Sequence, residues 1–291
     1  MRSLKEILLP TDFSPRSVDV ARYAAGVARH FNSGITILHA LPPLNPAIAA
    51  VGNAGLTQEV MDHQKEETCT RLRQFLAEEF REFTVKRMVV DGDPAEAITS
   101  YAADQHVGLV MMPTRGCTAF RRFLLGSVTA KVLHDVACPV WTSSHIVEGR
   151  SRASAIPKVI VCAIDRNPEG DRILQWASDL ASELQASLVA THAISSLEFQ
   201  PETYYLEAEM RRKMIGDAKA RIGRVIHASS TPDAELCVDG GYVSALVRST
   251  IEDHAADLLI IGRASGQGML GRLRTHSYVL IRESPCPVIS I

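Results

Sequence analysis

Along the chain, short runs of Ile, Val, Leu and Met alternate with longer stretches in which apolar residues recur every three or four positions. In the first half the runs predict strands near residues 5–11, 35–40, 84–90, 107–112 and 138–142. The stretches between them predict helices near 15–31, 57–82, 94–105 and 127–136. The second half predicts strands near 157–164, 187–193, 234–238, 257–261 and 286–290, and a long helix over Glu202–His227 that matches the one at 57–82. Ser14 before Pro15, and Asp93 before Pro94, each offer a helix cap followed by proline at the first helical position. The strands are apolar nearly throughout instead of alternating, which is the mark of a sheet covered on both faces. Strand–helix alternation of this kind predicts an α/β fold with open parallel sheets.

The pattern occurs twice. The run Lys5–Asp12 is answered by Lys158–Asp165, the stretch around His39 by that around His192, and Cys138-Pro139-Val140 by Cys286-Pro287-Val288. The Asp and His pairs stand 153 residues apart and the Cys pair 148, so the chain reads as two domains of one fold. The expected bounds are 1–143 and 157–291, joined by a polar, unpatterned linker at 144–156. Each domain ends on a strand opening Cys-Pro-Val. An exposed apolar edge invites unwanted pairing, so the two terminal strands are expected to protect each other in an intrachain pseudo-twofold arrangement. Further assembly into a homo-oligomer is left open.

Composition narrows the classes. The length of 291 residues, 46% of them hydrophobic, allows two cores, while a net charge of −2 speaks against a nucleic-acid footprint. No apolar run approaches the roughly 20 residues of a membrane span, and Met1–Glu6 leads directly into a strand with no signal-peptide pattern. A cytoplasmic address is expected. The six cysteines form no CxxC pair and read as buried, reduced thiols, with Cys117 set apart by its place in a glycine-containing loop.

The two copies disagree at that loop. After the fourth strand the first half has Gly116, nine residues, then Gly126 and Ser127 at the start of a helix; the second half has Ser265 and Arg274 at the corresponding places. Glycine admits close backbone approach and positive φ, and a helix N-terminus offers unpaired N–H groups, a combination suited to an anion such as phosphate. Ser127 and Thr129 add hydroxyl donors at the same end. Asp12, at the end of the first strand, would lie beside this loop if strands one and four are neighbours, facing a sugar hydroxyl or base amine; the competing reading makes it a turn or capping residue. Arginine at the Gly126 position would resist left-handed geometry and fill the phosphate space, so no nucleotide is expected in the second domain.

The residues Leu9–Ser14, Ile37–Ala40, Gly92–Pro94 and above all Gly116-x9-Gly126-Ser127 resemble the universal stress protein family, and the likeness covers both halves. The resemblance implies two Rossmann-like domains of the nucleotide-binding α-hydrolase type and a cytoplasmic stress-response protein that binds ATP, with or without Mg2+, in its first domain. By that resemblance Asp12 binds the adenosine part and Ala40 meets adenine through its backbone, with Pro10 and Thr11 beside Asp12 among the expected cofactor-binding residues. Met112 through Gly116, with Pro113 and Arg115 between them, wrap the ribose, and Gly126, Ser127 and Val128 hold the phosphates, with Thr129 next to them among the expected cofactor-binding residues. The family's nucleotide loop has a further glycine where this chain has Pro113, which removes one backbone donor and fixes φ.

Other signals carry less. Gly266-Gln267-Gly268-Met269-Leu270-Gly271 matches a dinucleotide fingerprint, but only 20 residues follow it, too few for the required βαβ unit. His39 and His192 read as structural, and Arg121 and Arg122 as solvated charges. No nucleophile comes with a base, so a regulatory or sensing role leads, with an interaction scaffold or a slow ATPase as alternatives.

Overall fold

A computed structural model describes residues 4–43, 54–114, 125–143, 156–194, 204–263 and 275–291. The chain divides into two compact units, Arg2–Val140 and Trp141–Ile291. The N-terminal unit runs β1 (Glu6–Pro10), α1 (Pro15–Phe31), β2 (Gly34–Leu41), α2 (Ala54–Gln74), β3 (Val85–Asp91), α3 (Pro94–Asp104), β4 (Leu109–Pro113) and α4 (Ser127–Asp135), ending where β5 (Val140–Ser143) begins. Its strands lie in the order β3-β2-β1-β4 and are parallel. Ile7 on β1 stands opposite Ile35 on β2 and Leu109 on β4, which places β1 at the centre. Ile7, Leu8, Ile37, Val110 and Met111 are wholly buried, as near-continuous apolar strands between two helical layers require.

The C-terminal unit repeats the plan with β6 (Val159–Ala163), α5 (Pro168–Leu184), β7 (Ser187–Ile194), α6 (Tyr204–His227), β8 (Glu235–Gly240), α7 (Val243–Asp253), β9 (Leu258–Ile261), α8 (Thr275–Glu283) and β10 (Val288–Ser290). Its order is β10-β9-β6-β7-β8, again parallel. Residues 141–143 belong to this unit, where the Thr142 hydroxyl donates to the Val288 carbonyl at 3.2 Å. Among the described residues no helix is long and apolar enough to cross a membrane.

Three local expectations need correction. The second helix, expected to reach residue 82, stops at Gln74. Leu76 turns left-handed at φ 57°, and Arg87 on β3 donates to the carbonyls of Leu72 (3.0 Å) and Phe75 (3.3 Å), satisfying acceptors that a continuing helix would have used. Ser14 holds the N-cap position of α1 but its side chain makes no capping bond, whereas Asp93 accepts from the N–H groups of Ala95 and Glu96. Of the described cysteines, Cys162 and Cys286 are buried as expected, and Cys69, Cys138 and Cys237 are only half-buried.

Arg87 therefore links the end of α2 to β3. Arg87→Leu leaves two carbonyls without their donor and should cost about 1–3 kcal/mol. A lowered urea midpoint, with faster amide exchange confined to residues 71–83, would confirm the role; an unchanged midpoint would remove it.

Candidate functional site

The turn after β1 is held by a chain of local bonds. Thr11 N–H donates to Leu38 O at 2.9 Å, and Thr11 O accepts from His39 Nδ1 at 2.7 Å. A carbonyl can only accept, so His39 carries its proton on Nδ1. Asp12 Oδ1 accepts from Ser14 N–H at 3.0 Å and from the Ser17 hydroxyl at 3.5 Å, which makes Asp12 a turn residue as well as a cavity residue. Phe13 is held left-handed at φ 60°, a strained state for a residue with a side chain. Its ring is packed against His39 and Phe75 at centroid distances of 4.5 and 5.1 Å, with the Arg71 guanidinium 4.2 Å from its centroid. This packing keeps the turn in one shape.

On the neighbouring strand, the end of β4 meets the start of α4. Gly126 N–H donates to Thr114 O at 2.9 Å, and the buried Thr129 hydroxyl donates to Pro113 O at 3.2 Å. These bonds correct two expectations. The Thr129 proton is committed to the β4 carbonyl, so Thr129 positions α4 against β4 and offers a ligand only its backbone. Gly126 stands at φ −62° and ψ 144°, an extended conformation open to any residue, so left-handed geometry is not the reason for glycine there. What glycine supplies is an N-cap with no side chain: no capping bond covers the first turn of α4, and the N–H groups of Ser127, Val128 and Thr129 have no intrahelical acceptor.

These pieces meet around one cavity of about 360 Å3, lined by residues of β1, β2, α3, β4 and α4. It takes in ten of the expected site residues: Pro10, Thr11, Asp12, Ala40, Met112, Pro113, Gly126, Ser127, Val128 and Thr129. Arg115 and Gly116 lie outside the described residues, as do Cys117, Arg121 and Arg122. Leu38, His39, Pro94 and Ile98 also line it and were not anticipated. Pro94 and Ile98 are one turn apart at the start of α3, so the Asp93-Pro94 helix start was the available signal; only the parallel sheet brings that start to the same end as β1 and β4. Beside Pro94, Asp93 has its carboxyl held below the usual range, first by the Glu96 N–H and then by neighbours that include Lys131.

The corresponding place in the C-terminal unit is nearly filled. Its cavity is about 90 Å3 and includes Asp165, Gly170, Ile173, Gly262, Arg263 and Ser277. The wiring persists: His192 Nδ1 donates to Ile164 O at 2.8 Å and the Ser277 hydroxyl to Gly262 O at 3.0 Å. The contents differ. Strand pairing places Gly262 where the first unit has Pro113, and Ile173 where it has Val20. A Cβ on Gly262 would collide with Ile173 Cδ1, so the larger side chain occupies the room that the missing proline leaves. Gly170 is pressed against the Asp165 backbone so closely that a side chain there would strike the Asp165 carbonyl. Arg274 lies outside the described residues.

A parallel α/β plan used twice, with crevices at the carboxyl ends of the central strands, defines a tandem Rossmann-like protein. The Universal stress protein family profile matches residues 3–143 and again 157–291, and the chain belongs to that family. A universal stress protein of Methanocaldococcus jannaschii is 29% identical over 138 residues, spanning 47% of this chain and 79% of its own. A second from the same organism is 28% identical over 149 residues, spanning 47% and 92%. Among solved structures, a universal stress protein from Archaeoglobus fulgidus superposes with a TM-score of 0.69 at 20% identity, covering 99% of this chain and 98% of the other.

The contact between Ile173 and Gly262 can be tested directly. Ile173→Val deletes the methyl that fills the crevice and should cost about 0.5–1.5 kcal/mol, read as a lower urea midpoint. A neutral result would mean that the crevice collapses freely and is not held shut by this side chain.

Proposed function

We propose that the N-terminal unit binds one adenine nucleotide, ATP first among candidates, and that the protein acts as a nucleotide-responsive regulator in the stress response. The observation that carries this reading is a single cavity joining an apolar wall to an uncapped helix N-terminus. Leu38, Ala40, Ile98 and Met112 suit the flat apolar faces of a purine. Asp12 suits ribose hydroxyls, and the N–H groups of Ser127 and Val128 suit phosphate oxygens. Asp12 is the only carboxylate among the described lining residues, so Mg2+ would rest chiefly on the phosphates. The filled crevice of the C-terminal unit supports one nucleotide per chain and not two.

Gly126→Asp separates binding from folding. Aspartate is a favoured N-cap residue and the backbone at Gly126 accepts it, so α4 should be as stable or more so. Its carboxylate would occupy and repel the phosphate position. Calorimetry with ATP should show about one molecule per unaltered chain and at least tenfold weaker binding to Gly126→Asp, with ATP or ADP released from the freshly purified protein. No heat at millimolar ATP would sink the nucleotide reading in favour of an interaction scaffold; two equivalent sites would sink the asymmetry between the units.

A further inference from the structure

We propose that Glu235, Cys237 and His254 form a zinc(II) site at the edge of the C-terminal unit. Glu235 and Cys237 are two apart on β8, the edge strand, and so project to one face. His254 is the C-cap of α7, its N–H held by the carbonyls of Glu252 and Thr250. The three donor atoms lie within 4.8 Å of one another, with His254 Nε2 3.2 Å from Glu235 Oε1 and Cys237 Sγ 3.9 Å from the same oxygen.

The spacing and chemistry of these donors suit a tetrahedral metal ion. Zinc bonds of about 2.0–2.3 Å in tetrahedral geometry separate ligand atoms by roughly 3.3–3.8 Å. The Glu–His and Glu–Cys distances already fall close to that range, and small rotations of the exposed Glu235 side chain and its neighbours would close the rest. His254 Nδ1 donates to Thr250 O at 2.9 Å, which fixes the ring and turns Nε2 toward the cluster, the outer-shell bond typical of ligating histidines. One thiolate, one imidazole and one carboxylate suit a borderline cation such as zinc; magnesium and calcium prefer oxygen throughout. Three protein ligands leave a fourth position open to water.

The internal repeat supplies a comparison within the same chain. At a constant offset of 149 residues the N-terminal unit has Lys86, Met88 and Gln105, the last being the C-cap of α3. The fold alone therefore does not demand this trio, and all three ligand types occur together in one copy only.

Lys219 of α6 and Asp253 are the charged neighbours of the cluster. The thiol proton, and any on Nε2, must leave when zinc binds. Affinity should accordingly rise with pH, with proton release in the calorimeter.

The test uses the reduced, tag-free full chain, titrated with zinc chloride by calorimetry and with cobalt(II) by absorbance. The expected result is one zinc per chain and a thiolate-to-cobalt charge-transfer band, both unchanged in Cys138→Ser. Cys237→Ser, a near-isosteric change whose folding is checked by circular dichroism, should abolish the band and weaken zinc at least tenfold; His254→Gln should weaken it similarly. Zinc held equally by the Cys237→Ser chain, or no uptake by the unaltered chain, overturns the proposal.

Discussion

Hydrogen bonding of β1 to parallel neighbours on both edges, β2 on one side and β4 on the other, is the constraint from which the site follows. The chain first winds away from β1 in one direction and later returns on its other side. A crevice consequently opens at the carboxyl ends of β1 and β4. Everything placed in that crevice inherits its position from strand register: Thr11 and Asp12 leave β1, Pro113 and Thr114 leave β4, and α4 begins where those carbonyls accept from Gly126 and Thr129. The same reversal at β6, between β7 and β9, builds the second crevice.

Register alone does not decide what a crevice holds. Both units keep the histidine that ties the second strand to the turn after the first, and both keep a hydroxyl at the start of the last helix bonded to the fourth strand. These bonds satisfy backbone carbonyls at the sheet's end, where an unpaired acceptor would be costly. Between them, the side chains differ in size. Val20 with Pro113 accompanies a cavity of about 360 Å3, and Ile173 with Gly262 one of about 90 Å3. The second unit differs also at its β8 edge, where Glu235, Cys237 and His254 converge.

The nucleotide reading and the zinc reading draw on opposite kinds of surface. The first uses backbone N–H groups and an apolar wall, which need exclusion from water to be effective. The second uses side-chain donors on an exposed strand, where a metal can exchange and a fourth ligand can enter. Neither depends on the other's residues.

Much was readable from residue order, for a physical reason. Near-continuous apolar runs such as Leu109–Met112 can be satisfied only inside a doubly covered parallel sheet, and periodic stretches such as Pro15–Phe31 only as helices against it, so fold class, repeat and most element bounds follow from local chemistry. The Gly126-Ser127 helix start was legible because an uncapped N-terminus is a local property. Tertiary structure alone decided what depends on distant partners. Arg87 ended α2 early, Thr129 spent its hydroxyl on Pro113, and Pro94 and Ile98 came to the cavity through β3. Ile173 met Gly262 across 89 residues, and His254 reached Glu235 and Cys237. Such meetings are set by strand register and helix packing, which bring together side chains that no spacing along the chain relates.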